Sequence, residues 1–292
     1  MQTVVPGVLT VGIFDQHFRS FHKGSIVAEQ DTPPSLRYVD WGCDVRDVDI
    51  VMATVSDAAT LLDHASAHPR KVLWLQEPPE VCRYPEAAVI DRYDLVLDAN
   101  AANADDRTAW ASLIGTWITS ESAEPKTRNV SFLAKTRKGY PCQGYIVREE
   151  IAALYYARLY DGFGTIFGFQ VLDRKDAALW PYRFHIAVEN VSRRYWITEK
   201  VWDCFATRTV PLYWGCEGDM SRFAELGFDI AGIMPWHTIA GLKECLSAIA
   251  KHGESMYTDM AAAIATNYAV ARRLYCAEVY LEPLLRVRFD LQ

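Results

Sequence analysis

Long apolar runs are absent from this sequence of 292 residues. No stretch approaches the roughly 20 apolar residues that a membrane-spanning helix requires. The first residues, Met1-Gln2-Thr3-Val4-Val5-Pro6, also lack the basic segment and apolar core of a secretory signal peptide. We therefore expect a cytoplasmic protein, at most bound peripherally to the inner face of a membrane.

Paired cysteines are also lacking. The seven cysteines are scattered, no two form a CxxC pair, and their odd number argues against a disulfide framework. His22, His185 and His237 lack the spacing of metal ligands. We therefore expect buried thiols in a reducing compartment, no metal ion and no cofactor.

The charge balance argues against a broad basic surface as well. The formal net charge is −7, and neither acidic nor basic residues form a long run. A protein that binds nucleic acid needs a basic face to neutralise phosphates, so we expect no nucleic-acid partner. A local basic site for the phosphates of a small molecule remains compatible with this composition.

The residues that are present predict an α/β fold. Hydrophobic residues make up 50% of the chain, enough for one large or two ordinary domain cores. In the first part of the chain, short runs rich in Val, Ile and Leu predict strands at residues 8–14, 49–55, 71–75 and 93–98. A helical pattern at residues 58–68 separates the second strand from the third. Buried strands that alternate with helices indicate a parallel sheet covered on both faces.

A second alternating series follows a segment with little pattern. Strands are predicted at residues 129–134, 164–171, 184–188 and 210–214, and helices at residues 144–160, 198–207, 238–251 and 254–275. We predict an amino-terminal domain at residues 1–125, a second domain at 126–275 and a helical tail at 276–292. Two Rossmann-like, doubly wound domains of this kind would face a cleft bordered by the carboxyl ends of both sets of strands.

The most informative segment begins where one of the predicted strands ends. A carboxylate and an amide, Glu189 and Asn190, come first, and a polar, aromatic loop follows. A helix then opens at Thr198, a favourable N-cap residue, with Glu199 and Lys200 in its first turn. The segment therefore places several polar side chains between the end of a strand and the start of a helix.

These residue types suit a nucleoside diphosphate. Free amides at a helix N-terminus favour an anion, and Lys200 adds a full positive charge. Glu199 can accept paired hydrogen bonds from a ribose diol, as acidic residues do in dinucleotide sites. A surface helix whose Glu199 and Lys200 are merely solvated is the alternative, and spacing alone favours that alternative.

Three short motifs, Val188-Glu189-Asn190, Thr198-Glu199-Lys200 and Pro211-Leu-Tyr-Trp-Gly215, occur in this order. Their order and spacing resemble the donor-site signature of glycosyltransferase family 10, the α-1,3/1,4-fucosyltransferases. That signature reads F-E-N, a short loop, Y-x-T-E-K, a helix and P-x-x-x-G. Here Val188 replaces the usual Phe and Trp196 replaces the usual Tyr, so we expect Tyr195 to supply the missing hydroxyl.

The resemblance extends over roughly residues 77–268 and implies further site residues. Residues 129–135 and then Arg148 resemble the family's strand and the arginine that contacts the donor pyrophosphate. Taken alone, an arginine beside two glutamates predicts an ordinary exposed side chain. The resemblance also implies a set of residues that bind or position the nucleotide sugar: Arg148, Glu189, Asn190, Tyr195, Thr198, Glu199 and Lys200.

In the first predicted domain, Glu77 follows a strand and precedes Pro78 and Pro79. Proline keeps its predecessor out of helical geometry, so Glu77 is expected in a turn at the strand's carboxyl end. The turn is similar to the family's Glu-x-Pro turn, whose glutamate is the proposed catalytic base. Glu80 is a nearby competitor, and an ordinary loop carboxylate is the alternative interpretation.

The resemblance implies an inverting, metal-independent transfer of fucose from GDP-fucose to a hydroxyl of a glycan or glycoconjugate acceptor. Glu77 would accept the acceptor's proton, and Arg148, Lys200 and the helix amides would stabilise the leaving diphosphate. The alternatives are a transferase for another nucleotide sugar and a non-catalytic protein that binds a sugar nucleotide or a glycan. We expect the acceptor at loops of the first domain, around residues 18–24 and 78–85.

Overall fold

The structure, a computed structural model, describes residues 7–15, 35–39, 44–101, 106–118, 121–122, 124–135, 142–166 and 168–292. Its contacts divide the chain into two compact units. The first unit comprises the described residues up to Ile114 together with Cys276–Gln292, and the second comprises those of Gly115–Tyr275. The expected acceptor loop at residues 18–24 lies outside the described residues.

Strands and helices alternate along most of the chain. The strands are Leu9–Phe14 (β1), Leu36–Val39 (β2), Ile50–Thr54 (β3), Lys71–Leu75 (β4), Leu95–Asp98 (β5), Thr108–Ala109 (β6), Arg128–Ala134 (β7), Asp161–Gly164 (β8), Tyr182–Val188 (β9), Val210–Trp214 (β10) and Met234–Pro235 (β11). The helices are Ala58–Ala65 (α1), Ala87–Ile90 (α2), Gln143–Ala152 (α3), Glu199–Ala206 (α4), Ser221–Glu225 (α5), Ile239–Asp259 (α6), Ala261–Arg273 (α7) and Ala277–Phe289 (α8).

Each unit contains one parallel sheet, and this confirms the predicted fold class. The first sheet has the order β2-β1-β3-β4-β5-β6, and the second has the order β11-β10-β9-β7-β8. Every pairing in both sheets is parallel. In the first sheet, β2 lies on one side of β1, and β3, β4 and β5 follow on the other side. In the second sheet, β8 lies on one side of β7, and β9, β10 and β11 follow on the other side. The strand order therefore reverses beside β1 in the first unit and beside β7 in the second.

The core of the first unit lies between its sheet and α1. All five residues of β3 are buried, because the strand is covered on both faces. Leu61, Leu62 and Ala65 of α1 pack against this sheet. Helix α8, predicted as a separate tail, belongs to this unit, where it contacts β2 and buries Leu281 and Leu285 completely.

The core of the second unit is built by the helices on its sheet. Leu242, Leu246 and Ile249 of α6 pack against the side chains of β7, β9 and β10. In α4, Val201 and Cys204 have no exposed surface and lie on the buried face of that helix. These contacts fix α4 against β9 and β10.

Several predicted element bounds differ from the structure. The predicted strand at residues 164–171 is wrong, since β8 ends at Gly164, whose N–H donates to the Gln170 carbonyl at 2.9 Å. The apolar residues that suggested a strand, Ile166 and Phe169, instead pack on the core from a loop. The predicted helix at residues 144–160 ends at Ala152, and a short 3-10 turn follows.

The contacts divide the chain after Ile114, whereas the first predicted boundary lies after residue 125, and they divide it again after Tyr275, where the helical tail was predicted to begin. The amino-terminal segment of the first unit ends at Ile114. Thr116 and Trp117 already bond to a residue of α4 in the second unit. Among the residues that the structure describes, no helix has both the length and the apolar character to cross a bilayer.

Candidate functional site

The candidate site lies at the carboxyl end of β9 in the second unit. Strand β9 neighbours β7, at the point where the strand order of this sheet reverses. Ligands of open parallel sheets bind outside the carboxyl ends of the strands at such a reversal. The residues that directly follow β9 are Glu189 and Asn190, and α3 is the helix that follows β7. The fold therefore brings the predicted residues of these two segments together.

Glu189 is the centre of this arrangement. Its side chain has no exposed surface. Its Oε1 accepts a hydrogen bond from the Thr198 amide at 2.9 Å, and its Oε2 accepts one from the Thr198 hydroxyl at 2.7 Å. Lys200 Nζ lies 3.2 Å from the same Oε2. Because both carboxylate oxygens are held by the protein, Glu189 fastens the end of β9 to the start of α4.

Thr198 precedes α4 as predicted, but its side chain does not cap the helix. The hydroxyl donates to Glu189 and accepts a hydrogen bond from Lys200 Nζ at 2.9 Å. An N-cap hydroxyl normally accepts a hydrogen bond from an amide of the first helical turn. Here the Thr198 hydroxyl instead donates to the buried Glu189 carboxylate and accepts from Lys200. The first-turn amides of α4 therefore do not use the Thr198 hydroxyl as an acceptor.

Lys200 and Glu199 form the charged edge of the site. Lys200 Nζ lies 3.3 Å from Glu199 Oε1, and the Lys200 side chain is 22% exposed. Burial raises the pKa of the Glu199 carboxyl, but Lys200 and Lys175 outweigh that effect and leave the pKa below its usual value. Glu199 is therefore ionised and can act only as a hydrogen-bond acceptor.

Arg148 lies in the middle of α3 and reaches the same strand end. Its Nη2 donates to the Val188 carbonyl at 2.6 Å and to Asn190 Oδ1 at 3.0 Å. Burial lowers the pKa of this guanidinium. A guanidinium keeps its charge in proteins because its ordinary pKa is above about 12. The prediction of an exposed arginine is therefore wrong, since Arg148 is buried.

Two glycines, which the sequence reasoning missed, allow this close packing. A Cβ atom on Gly144 would lie 1.9 Å from the Glu189 carbonyl oxygen, so α3 could not approach β9 with any larger residue. The Gly144 amide donates to the Asn190 carbonyl at 2.9 Å. A Cβ atom on Gly215 would lie 2.8 Å from Glu189 Cγ. The only available signal for Gly215 was its place at the end of the third motif.

Tyr195 and Trp196 occupy different environments in the loop before α4. The Tyr195 ring lies near two guanidinium groups, with the Cζ atoms of Arg194 and Arg222 each 5.2 Å from its centroid. Trp196 has no exposed surface. Its Nε1 has no hydrogen-bond partner within the described part of the chain. The tryptophan that departs from the family signature is thus a buried side chain, and the role of Tyr195 in binding a donor stays a prediction.

Glu77 lies in the first unit, two residues after the end of β4. The Val81 and Cys82 amides both donate to the Pro78 carbonyl, so a tight turn follows Glu77 as the prolines predicted. The side chain is half-buried. Burial and the nearby Glu77 carboxylate raise the pKa of the Cys82 thiol. A carboxylate at the carboxyl end of a central strand is where the sequence placed it, and its catalytic role stays a prediction.

The site of the second unit thus combines two cations, Arg148 and Lys200, with the start of α4 and the ionised Glu199. Such a set can bind an anion at the cations and amides and a diol at the carboxylate. Within the described residues, no group of three or more His, Cys, Asp or Glu side chains could hold a metal ion. Metal independence itself stays a prediction.

Comparison with known families decides the class of the protein. Residues 155–259 match the family model described as glycosyltransferase family 10 (fucosyltransferase), C-terminal part. The resemblance to glycosyltransferase family 10 is confirmed. The chain is a glycosyltransferase, and the matched residues, which include Glu189, Asn190 and Lys200, lie in its second unit. Arg148 and Glu77 lie outside the match.

Solved structures of glycosyltransferases share the fold. A crystal structure of an α1,3-fucosyltransferase with GDP has a TM-score of 0.58 at 16% identity, covering 99% of this chain and 92% of that one. Another, of an α1,3-fucosyltransferase with GDP-fucose, has a TM-score of 0.54 at 17% identity, covering 89% of this chain and 83% of that one. This similarity shows the GT-B type of fold. Among curated proteins, no sequence matches this one.

Proposed function

We propose that this glycosyltransferase is an inverting fucosyltransferase that transfers fucose from GDP-fucose to a hydroxyl of a glycan or glycoconjugate acceptor. The observation that carries the proposal is the constellation at the end of β9, where Arg148 and Lys200 flank Asn190 and the start of α4. It lies inside or next to the segment that matches the family model. The similar crystal structures with GDP and GDP-fucose support the choice of donor.

The donor's diphosphate would bind where positive charge converges. Arg148 and Lys200 would each donate charge-assisted hydrogen bonds, and the first-turn amides of α4 would add to the positive potential. Both cations already contact oxygen acceptors of the protein, at 2.6 Å and 2.9 Å respectively. Their positions are therefore fixed before the ligand arrives, which favours preorganised stabilisation of the negative charge that develops on the leaving group.

The nucleoside would be oriented by Glu199, with Asn190 and Tyr195 contributing further contacts. Glu199 is 20% exposed and ionised, so its carboxylate can accept hydrogen bonds from the two ribose hydroxyls. Glu189 has a different role in this proposal. It is fully buried and holds Thr198 and Lys200 in place rather than contacting the nucleotide.

The acceptor hydroxyl would be activated by Glu77. In a single displacement, the acceptor oxygen attacks the anomeric carbon, its proton passes to the Glu77 carboxylate, and the bond to the diphosphate breaks. The electron pair leaves with the GDP, whose charge Arg148 and Lys200 stabilise. This sequence inverts the configuration at the anomeric carbon. The turn after β4 presents Glu77 at the edge of the sheet where such ligands bind.

The decisive experiment is a donor panel. The purified protein is incubated with GDP-fucose, GDP-mannose, UDP-galactose and UDP-glucose, each with a mixture of free oligosaccharides, and released nucleotide is measured. We expect release and transfer with GDP-fucose, and NMR of the product should show the inverted anomer. Transfer from another donor instead would favour the hypothesis of a different nucleotide sugar, for which the buried Trp196 in the loop is the motivating observation. Tight GDP binding without any release across the panel would favour the non-catalytic hypothesis.

A further inference from the structure

Two residues that no motif includes, Lys175 and Asp203, form an ion pair beside the candidate site. Asp203 lies on α4, four positions after Glu199, so the two carboxylates project from the same face of the helix. Lys175 begins a 3-10 turn, and its Nζ contacts Asp203 Oδ2. The Asp203 side chain is only 1% exposed, whereas that of Lys175 is 31% exposed.

The protein itself occupies both oxygens of Asp203. Oδ1 accepts hydrogen bonds from the Thr116 hydroxyl and the Trp117 amide, both at 2.7 Å, and Oδ2 is held by Lys175. A buried charge pair gains little stability over apolar residues of the same size. Stability alone is therefore a weak reason for burying this aspartate, and a fixed position for Lys175 is a second consequence of it.

Lys175 acts on Glu199 as well as on Asp203. The electrostatic attraction between Lys175 and Glu199 favours the charged form of both groups. Two cations therefore act on Glu199: Lys200 Nζ lies 3.3 Å from its Oε1, and Lys175 is held by Asp203, one helical turn along α4. The attraction of the anchored Lys175 opposes rotation of the Glu199 carboxylate toward Lys200 alone.

We infer that Lys175 and Asp203 are positioning residues that orient Glu199 toward the ribose hydroxyls of the donor nucleotide. The inference rests on the proposed function, because it assumes that Glu199 accepts the ribose diol. Asp203 fixes the ammonium of Lys175, Lys175 draws the Glu199 carboxylate to its working position, and Glu199 makes the contact. Neither Lys175 nor Asp203 touches the nucleotide.

The experiment compares GDP with 2′,3′-dideoxy-GDP, which lacks both ribose hydroxyls, by calorimetry. Hydrogen bonds to a charged group contribute about 1.5–3 kcal/mol, so the wild type should prefer GDP by about 10-fold or more. In Lys175→Met the preference should fall to less than about 3-fold because GDP binds more weakly, while dideoxy-GDP affinity changes by less than about 2-fold. Lys175→Arg, which keeps the charge, should restore most of the preference.

The matched control is Arg174→Met, which removes an equal charge from the neighbouring residue, whose exposed guanidinium pairs with the buried Asp176. It should leave the preference for GDP unchanged. If Lys175→Met does not fold, the double variant with Asp203→Asn leaves no buried carboxylate unpaired, and the side-chain amide oxygen of the new asparagine can still accept from Thr116 and Trp117. The double variant is expected to show the same loss of preference.

Three results would overturn the inference. A folded Lys175→Met protein that keeps the full preference for GDP shows that Lys175 does not position Glu199. Equal weakening of both nucleotides shows that Lys175 acts only as a distant charge on the phosphates. A wild type that binds GDP without preferring it over dideoxy-GDP removes the ribose role of Glu199 itself, and a wild type that binds neither nucleotide contradicts the proposed function.

Discussion

The two units have the same strand order but place different chemistry where that order reverses. In the second unit, β9 is followed by Glu189, which is fully buried and paired with Lys200. In the first unit the counterpart of β9 is β3, which ends at the buried Thr54, and the Thr54 hydroxyl donates to Asp15, the residue that follows β1, at 2.9 Å. The strand beside the reversal is therefore followed by a buried, lysine-paired carboxylate in the second unit and ends in a buried threonine in the first.

The difference shows what a parallel sheet does and does not supply. The sheet supplies a place at the carboxyl ends of the strands, and it does so in both units. Charge suited to a diphosphate comes from α3 and α4, which bring Arg148 and Lys200 to one such place in the second unit. The first unit presents Glu77 from the turn after β4, a group suited to accepting a proton. The units can therefore be separated by experiment, one through turnover and the other through nucleotide affinity.

The largest expected effect is on turnover through the first unit. Glu77→Gln keeps the shape of the side chain but cannot take up a proton, and general-base catalysis contributes about 10²–10⁴-fold. We expect the transfer rate to fall by that order while GDP affinity, which the second unit provides, stays nearly constant. Steady-state kinetics and calorimetry on the same preparation measure both quantities.

Glu80→Gln is the matched control for this experiment, since it removes a carboxylate from the same turn. It should change the transfer rate much less. Full turnover in Glu77→Gln would show that another group is the base, and the opposite ranking of the two variants would assign that role to Glu80.

The second effect concerns affinity through the second unit. Lys200→Ala or Arg148→Ala removes one of two cations from the proposed diphosphate site, which should weaken GDP binding by about 1.5–3 kcal/mol, or about 10-fold to 150-fold. Lys251→Ala removes an exposed cation on α6 and should leave GDP affinity unchanged. Calorimetry with folded variants measures this, and unchanged affinity in both site variants would remove the proposed site.

A smaller effect concerns the stability of the second unit in acid. His185 is buried on β9, and Ser131 donates its hydroxyl proton to the Ala178 carbonyl, so His185 Nδ1 donates to the Ser131 oxygen at 2.7 Å. Burial, with help from Lys175 and Lys126, lowers the pKa of His185 to about 3 from the model-compound value of 6.5. The unfolded chain therefore binds more protons between these values, and stability falls as pH decreases from 6.5 toward 3.

His185→Asn keeps an N–H donor near the position of Nδ1 but has no group that titrates. The free energy of unfolding by urea should therefore decline less steeply with acid in the variant than in the wild type. One proton accounts for at most about 1.4 kcal/mol per pH unit. Parallel pH profiles for the two proteins would show that His185 does not contribute to the acid sensitivity of this unit.

The smallest expected effect is that of removing divalent metal. The cations of the proposed donor site are Arg148 and Lys200, and its carboxylate Glu199 is paired with Lys200. Transfer with GDP-fucose should therefore persist in excess EDTA. If EDTA abolished transfer and Mn²⁺ or Mg²⁺ restored it, the prediction would be contradicted, and a metal ion would have to be included in the proposed donor site.

The parts of the fold that were predictable are those that pattern encodes directly. Continuous apolar runs identified β3, β4, β7, β9 and β10, and helical spacing identified α1, α4 and most of α6 and α7. Strands β2 and β6 were missed because they are short and lie at the edges of their sheet. The loop after β8 was mistaken for a strand because its apolar residues pack on the core without pairing.

The candidate site shows the same limit at the level of single contacts. The order of residues from Glu189 to Lys200 predicted that they lie together. It could not show that the Thr198 hydroxyl donates to Glu189 instead of capping α4. The hydrophobic pattern predicts which face of a helix is buried, but it does not identify the partner of a buried charged residue. Asp203 could have been suspected, because it lies between Trp202 and Cys204 on a helix whose neighbouring residues are apolar.

The carboxylate of Glu189 closes residues 190–197 into a loop whose two ends are fastened to each other. A loop anchored in this way can change its interior residues without moving the helix that follows it. Trp196, where the family signature has Tyr, is such a change, and Glu189, Thr198 and Lys200 keep their mutual contacts around it. In the second unit, residues 190–197 can therefore vary while Glu189, Thr198 and Lys200 stay fixed. Exchanging residues 190–197 between relatives is a direct route to new donor preferences.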